Sequence, residues 1–406
     1  MRVKKADVLW TTIGLLGLAG LVLGWLRGAA LPAAAGSLGV AFVLWRLAQR
    51  AATPAPPARN GQPRPGAARP AARPATDPAD LDAVVDQMLS QGRYALLLRP
   101  QIACKLEEEQ FHRALEALEN GMGLVPDGEV ALGRVDEALS DGRLDDEEVR
   151  ACHGRIIRVE HFFLDRYPVT HRQYYEFVAA GGYAQMDLWD PTIWPAVLDF
   201  VDRTGEPGPR FWVKGCYDPG LEDHPVVGVS WYEAAAYARW LGKRLPTDAE
   251  WVKAGSWPVN LSATARLQRR YPWGDTADPS RANLWASGRR GTVAVHELAG
   301  GMSVGGIYQL VGNVWEWTRG DYRPDLPDAT ILAESPIKSI RGGAFDTYFD
   351  NQATCHFPSG EAAVARKPNI GFRCAIGVCD LMLARPGSPD PAQAEDLDLC
   401  AHEVQR

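Results

Sequence analysis

The sequence predicts an α+β domain with little regular secondary structure, preceded by a membrane-anchoring region. Short periodic segments, separated by Gly, Pro, Asp and Asn, run from Gly121 to about Cys379. All eleven tryptophans beyond the first 45 residues lie between Trp189 and Trp317. Such a composition is typical of a domain whose long loops are held by aromatic packing rather than by one large sheet.

A pair of helices between residues 229 and 255 is the clearest local signal. Ser230 with Glu233, and Thr247 with Glu250, fit the capping box, in which a hydroxyl and a carboxylate satisfy free amides at a helix start. Gly242 provides a stop for the first helix, because glycine adopts the left-handed conformation of a helix C-terminus easily. We therefore expect two short helices at the centre of the domain.

Residues 1–50 contain two uncharged apolar runs, 8–26 and 28–45, separated only by Arg27. Each run is long enough to cross a bilayer, so a transmembrane hairpin embedded in membrane lipid is expected. Basic residues flank both ends of the hairpin, which by the positive-inside rule places the main domain in the cytoplasm. Alternatively, the first run is a signal peptide cleaved near Ala33–Ala35, which would place the domain in the periplasm with the second run as an anchor.

The other segments outside the main domain differ in composition. Residues 51–78 contain eight prolines and a single acid, and predict an extended tether. Residues 79–120 predict a short helical segment, with one apolar stripe beginning at Leu81 and a second helix from about Ile102 to Glu119. Residues 381–406 form an acidic tail that we expect to be flexible. The main domain is assigned to residues 121–380.

Charge and cysteine content exclude several classes of protein. The chain carries a net charge of −7, and because its first 76 residues carry +9, the remainder carries −16. Nucleic-acid binding is not expected of so acidic a domain, since phosphates must be neutralised by Lys and Arg. Seven thinly spread cysteines without a C-x-x-C pair argue against a disulfide scaffold or a structural zinc site.

A series of motifs runs through the main domain. They are MGLVPDGEVALG (122–133), FLDRYPVT (163–170), VSW (229–231), GKRLPTDAEW (242–251), YPWG (271–274), AN (282–283), GNVWEW (312–317), RGG (341–343) and GFRC (371–374). In content and order the series resembles the formylglycine-generating enzyme, or sulfatase-modifying factor, family. The resemblance implies the C-type lectin-like fold of that family.

The resemblance also shows where this chain departs from the active members. Those enzymes carry a serine and two cysteines after the RGG motif, and the thiols bind copper; the matching residues are Ala344, Thr347 and Gln352. Copper(I) prefers thiolate ligands, so copper binding and formylglycine-generating oxidase activity are not expected. Cys355 and His356 are weak substitutes as a redox or metal pair, because neighbouring side chains on a strand point to opposite faces.

A second enzymatic branch of the family holds non-haem iron with three histidines, partly supplied by an N-terminal four-helix domain. Residues 80–121 are too few for such a domain, and no His-x-x-x-His pair occurs. We therefore expect the scattered histidines to be surface or core residues.

The resemblance further implies calcium sites. One is matched by a side-chain amide, two backbone carbonyls and a carboxylate, from Gln309, Gly312, Val314 and Glu316. Oxygen ligands of this kind suit calcium. The other site would begin with Asn283 and the Leu284 carbonyl, but the expected acidic insertion before Thr292 is missing. In the alternative interpretation, Glu316 is a buried carboxylate bonded to loop amides.

Trp315, Asn369 and Arg373 match positions that line the family's substrate groove, where an extended peptide is held. A retained groove would bind a peptide or protein partner without oxidising it. Alternatively, Arg373 only ties loops together.

Three functions follow from these observations. The leading hypothesis is a membrane-anchored protein of this family, without oxidase activity, that acts as a protein-binding or accessory subunit of a membrane complex. The second is a metal-dependent oxidase or maturation enzyme with a rearranged site. The third is a display scaffold, whose variation would be confined to the loop between residues 341 and 371.

Overall fold

The computed structural model describes residues 81–133, 142–152, 154–322 and 335–384. The transmembrane hairpin, the tether of residues 51–78 and residues 385–406 of the acidic tail lie outside these ranges, so the expectations for them stay predictions. The first residues assigned to the tail, 381–384, are described, and Leu381 is buried in the same core as Phe163. Within the described ranges, no helix combines the length and apolar character needed to span a bilayer.

The described helices, in chain order, are α1 (Leu81–Ser90), α2 (Tyr94–Leu97), α3 (Pro100–Ala103), α4 (Glu108–Gly121), α5 (Asp146–Ala151), α6 (His171–Ala179), α7 (Trp194–Val197), α8 (Trp231–Trp240) and α9 (Asp248–Ser256). The described strands are β1 (Met122–Val125), β2 (Gly128–Leu132), β3 (Arg143–Asp145), β4 (Arg155–Val159), β5 (Phe162–Asp165), β6 (Val259–Asn260), β7 (Ala265–Leu267), β8 (Trp315–Asp321), β9 (Ile337–Arg341), β10 (Ser359–Ala362), β11 (Ile370–Phe372) and β12 (Ala375–Gly377). Short strands and helices alternate with long loops, as the α+β prediction expects.

The strands form small separate sheets rather than one large sheet. Their orders are β1-β5-β12, β2-β4, β3-β7-β6 and β10-β9-β8-β11. Among the described strands, every pairing is antiparallel except that of β8 with β11, which run parallel with Trp315 opposite Ile370. This parallel pair brings the GNVWEW and GFRC motifs side by side. These motifs carry five of the predicted site residues, Gly312, Val314, Trp315, Glu316 and Arg373.

The predicted helix pair is present as α8 and α9. At the start of α8, Ser230 Oγ accepts from the Glu233 amide at 3.2 Å, and Glu233 Oε2 accepts from the Ser230 amide at 2.8 Å. Thr247 and Glu250 form the same reciprocal pair at the start of α9. Both helices thus begin where the capping boxes predict.

Helices α6 and α8 are the centre of the main aromatic core. Tyr174 of α6 stacks on Tyr237 of α8 with ring centroids 5.2 Å apart, and Phe372 of β11 meets Tyr237 edge-on at 5.4 Å. Trp212 and Trp317 are also buried in this core. Contacts of this kind add stabilisation beyond the apolar area they bury, which accounts for a domain with so little sheet.

The N-terminal helical segment, α1 to α4, packs against the sheet β1-β5-β12. Its apolar side chains, with Leu98 and Phe111 at the centre, share a core with Phe163 of β5 and Ile376 of β12. The predicted second helix begins at Glu108 rather than near Ile102, because Glu107 and Gln110 form a capping box there. The segment is therefore an integral part of the fold.

Polar contacts and one glycine fix how this segment packs. Lys243 Nζ, which is buried, donates to Tyr94 Oη and to Asp165 Oδ1, both at 2.8 Å. Gly242 has φ +74°, and a Cβ atom there would lie 2.4 Å from Leu96 Cδ2. The predicted helix stop at Gly242 is thus also the point where the backbone makes room for α2.

Candidate functional site

The positions that carry the family's thiols lie in the loop after β9. Thr347 is buried, and its Oγ1 accepts from the Ala344 amide at 2.8 Å, which closes a tight turn after Gly343. Gln352 ends a short 3₁₀ turn and is partly exposed. A hydroxyl engaged with the backbone and a side-chain amide are not soft donors, so these residues do not fit a copper(I) site.

Cys355 and His356, the weak substitutes, are both buried and packed. His356 Nδ1 lies 3.2 Å from Gln268 Nε2, and His356 Nε2 lies 3.0 Å from the Arg269 carbonyl oxygen. Since both ring nitrogens have protein partners, neither faces an open metal position. Cys355 packs against α9, where a Cβ atom on Gly255 would lie only 2.9 Å from its Sγ.

The other buried cysteine close to the site is Cys374. Burial raises the pKa of its thiol well above the ordinary value, so it stays protonated rather than becoming a thiolate ligand. Within the part of the chain that the structure describes, no three His, Cys, Asp or Glu side chains are grouped so that they could hold a metal ion.

Glu316 and Arg373 form a fully buried ion pair. Arg373 Nε donates to Glu316 Oε2 at 2.7 Å and Arg373 Nη2 donates to Oε1 at 2.6 Å, while Trp251 Nε1 adds a third bond to Oε2 at 2.8 Å. Arg373 also donates to the carbonyls of Asp165 and Tyr308. Arg373 therefore ties β5, β8 and the loop at Tyr308 together, and its fully buried side chain does not line a surface groove.

The side chains matched to the calcium sites have protein partners of their own. Asn283, Gln309 and Asn313 form what we call the amide cluster, in which Asn313 Nδ2 donates to Gln309 Oε1 at 2.7 Å and Asn283 Nδ2 donates to Asn313 Oδ1 at 3.1 Å. The Leu284 carbonyl oxygen accepts from Ser287 Oγ at 2.7 Å.

The carboxylate of the first predicted calcium site is also engaged. A calcium ion would have to share the Glu316 oxygens with a guanidinium and an indole, and share Gln309 Oε1 with an amide. The Gly312 carbonyl oxygen accepts from the Val314 amide at 3.0 Å. The Glu316, Gln309 and Gly312 oxygens as arranged do not fit an ion bound through protein oxygens alone. Calcium at this site is an untested expectation of the family resemblance, and these contacts argue against it.

Trp315 and Asn369, the other groove residues, are brought together by the parallel strand pair. The Trp315 amide donates to the Asn369 carbonyl oxygen at 2.9 Å. The Asn369 side-chain amide donates to both oxygens of Asp346, at 3.0 and 3.1 Å, and Asp346 is exposed. This surface lies where the thiol positions and the groove positions meet.

A cavity opens beside Asp346, and the motifs did not indicate it. Its volume is about 570 Å³, and it is lined by Trp285, Gly288, Arg289, Arg290, Phe345 and Asp346. Two further rings stand close by: Tyr348 meets Trp285 at 6.3 Å between centroids and Phe349 at 5.3 Å. The sequence signal that could have revealed it is the run Phe345–Phe349, whose three aromatic residues directly follow the RGG motif.

Comparison with known proteins defines the class of this protein. Residues 107–378 match the family model described as the "Sulfatase-modifying factor enzyme 1-like domain". The chain therefore belongs to the sulfatase-modifying factor family, with its mixed α/β, C-type lectin-like fold, as the motifs predicted.

Individual relatives carry names that describe different activities. The chain is 38% identical to "Hercynine oxygenase" of Mycolicibacterium smegmatis over 211 residues, which are 50% of this chain and 46% of that protein. It is 32% identical to "Formylglycine-generating enzyme" of Thermomonospora curvata over 313 residues, covering 65% of this chain and 95% of that enzyme. It is also 32% identical to "Inactive C-alpha-formylglycine-generating enzyme 2" of Bos taurus, covering 55% and 79%. The chain thus spans about half the length of the hercynine oxygenase it matches.

Proposed function

We propose that this chain is a family member without oxidase activity that binds a protein partner through the surface around Trp315, Asn369 and the cavity beside Asp346. The observation that carries the proposal is the pair Thr347 and Gln352, where the active enzymes have thiols. Thr347 Oγ1 is held by the Ala344 amide, and Gln352 offers an amide only. Neither supplies the soft donor that copper(I) chemistry requires.

The surface itself is suited to binding. Specific interfaces have cores enriched in aromatic residues and Arg, and this surface combines exposed rings with two arginines. We further propose an accessory role in a membrane complex, with residues 8–45 as the anchor and the domain in the cytoplasm. That part rests on the sequence of the apolar runs and on the positive-inside rule.

The test of the proposal is metal content combined with oxygen consumption. The purified full-length chain is analysed for bound metals and then incubated with oxygen and a cysteine-containing peptide. We expect no stoichiometric copper or iron in the purified protein. We also expect oxygen consumption with the peptide to be no higher than in a protein-free control. Conversion of the peptide thiol to an aldehyde would refute the proposal. A C-terminal reporter fusion then tests which side of the membrane the domain occupies.

The second candidate is an oxidase with a rearranged metal site. It is favoured by the identity to enzymes named formylglycine-generating enzyme and hercynine oxygenase. The same measurement separates the candidates, because this one requires a bound metal and peptide-dependent or substrate-dependent oxygen uptake. The bovine relative named inactive gives the first candidate a parallel in the same family.

A further inference from the structure

Aromatic rings line and flank the cavity beside Asp346: Trp285 and the half-buried Phe345 line it, and Tyr348 and Phe349 stand beside Trp285. We call Trp285, Phe345, Tyr348 and Phe349, with Arg289 and Arg290, the aromatic cradle. Trp285, Tyr348 and Phe349 are 57%, 68% and 60% exposed. Single apolar residues on a surface are ordinary, but adjacent large rings around a cavity mark an interaction site. A cavity of about 570 Å³ accommodates one or two side chains of a partner.

The cradle is held in place by the amide cluster. The Trp285 amide donates to the Thr347 carbonyl oxygen at 3.2 Å, which joins the two loops that carry the rings. The Phe345 amide donates to the Asn313 carbonyl oxygen at 3.1 Å. Asn283 Nδ2 donates to the Gly291 carbonyl oxygen at 2.9 Å, at the end of the loop that carries both arginines. The rings therefore stand on fixed supports, which lowers the entropic cost of binding.

Charge indicates the kind of ligand. The cavity lining contains two arginines and one carboxylate, Asp346, whose oxygens accept from Asn369. Arg289 pairs with Glu297 at 2.7 Å, whereas Arg290 is exposed and forms no ion pair with the residues described. With Arg289 offset by Glu297, Arg290 is the cation of the lining that is left without an ion pair within the described ranges, in a chain whose formal net charge is −7. An acidic ligand would be repelled by most of this surface and attracted here.

We propose that the aromatic cradle binds an acidic segment of a protein partner. An apolar side chain of the segment enters the cavity against Trp285 and Phe345, and a flanking carboxylate pairs with Arg290. Single-stranded nucleic acid also stacks on aromatic residues. It is disfavoured because two arginines beside Asp346, in an acidic chain, cannot follow a phosphate backbone.

This inference rests on the proposed protein-binding function and names the chemistry of the partner. It is tested with two capped, fluorescein-labelled peptides of equal length. One has glutamates on both sides of a Leu-Phe core, and the other has glutamines at the same places. Fluorescence anisotropy with the full-length chain gives both affinities, at low and at moderate salt. An oligothymidylate of similar length is the third probe.

We expect the acidic peptide to bind about fivefold or more tightly than its glutamine counterpart, with a preference that weakens as salt is raised. Arg290→Gln should remove most of this preference, and Trp285→Ala should weaken both peptides about tenfold. The matched controls are Arg319→Gln and Trp194→Ala, which change an exposed arginine and a 46% exposed tryptophan outside the cradle. They should leave both affinities unchanged, and thermal melts verify that each variant is folded.

Equal affinity for the two peptides, no binding of either, or tighter binding of the oligothymidylate would overturn the inference. So would an acidic preference that survives Arg290→Gln. The proposed function is tested separately from the inference. It stands if the parent chain captures a partner from a detergent extract and the Trp285→Ala variant does not. Peptide-dependent oxygen uptake would instead remove the proposed function itself.

Discussion

Replacement of Arg373 by methionine is the sharpest test of the structure. The substitution leaves the Glu316 carboxylate fully buried, with only the Trp251 indole as a donor, and it also removes the bonds to the Asp165 and Tyr308 carbonyls. Breaking a buried, hydrogen-bonded ion pair on one side costs about 3–5 kcal/mol. Since whole domains are stable by about 5–15 kcal/mol, we expect a severely destabilised protein.

The assay is urea unfolding, followed by tryptophan fluorescence and by far-ultraviolet circular dichroism. The double variant Arg373→Met with Glu316→Gln leaves no unpaired charge, so it should recover about 1–2 kcal/mol of the loss. Arg319→Met, at an exposed arginine, is the control and should stay within about 0.5 kcal/mol of the parent chain. A loss below about 1 kcal/mol for Arg373→Met, or no recovery in the double variant, would contradict the assigned pairing.

Three further predictions concern the surroundings of the site. In urea unfolding, Gly242→Ala should destabilise the fold by about 1–3 kcal/mol more than the control Gly181→Ala. The two glycines have similar φ angles, +74° and +72°, but of the two only Gly242 has a neighbour, Leu96, where the new Cβ atom would lie. Equal losses would contradict the docking of α2. Burial lowers the pKa of His171 to about 3, compared with the ordinary 6.5 of the unfolded chain. Between these two pH values the unfolded state binds a proton that the folded state does not, so the stability of the fold decreases as the pH falls from 6.5 towards 3. The parent chain should therefore lose about 2 kcal/mol more than His171→Gln between pH 7.5 and pH 5, and parallel pH profiles would refute the buried neutral imidazole. Adding calcium or a chelator should leave the melting temperature unchanged, because the Glu316 oxygens are already engaged, whereas a rise with calcium would establish the metal site.

Local signals allowed the best predictions from sequence. The helix starts at Ser230 and Thr247 were correct because a capping box is complete within four residues and needs no tertiary information. The predicted start of α4 near Ile102 was wrong, because Ile102 belongs to the separate short helix α3 and a capping box at Glu107 begins α4. The cap determines where the helix begins.

The sequence could not predict which residues, distant along the chain, contact each other in the site. Glu316 and Arg373 were assigned to different sites, calcium and groove, because nothing local shows that residues so far apart form a buried pair. The sequence did not reveal the cradle for the same reason: Trp285 and Tyr348 lie far apart in sequence and become neighbours in the fold, where the Trp285 amide donates to the Thr347 carbonyl oxygen. Motifs show which positions of this chain are equivalent to those of the family. The burial and the hydrogen-bond partners of a residue depend on the folded structure.

The packing of α1 to α4 has a consequence for where an independently folding unit begins. The family match starts at residue 107, yet Val85, Tyr94 and Leu98 fill the same interior as Phe163. A truncation at residue 107 would remove the helices that pack on Phe163 of β5 and Ile376 of β12, and would expose these side chains to water. It would also remove the Tyr94 hydroxyl, which accepts a hydrogen bond from Lys243. The natural boundary of the unit therefore lies before Leu81, and shortened versions starting inside α1 to α4 should aggregate.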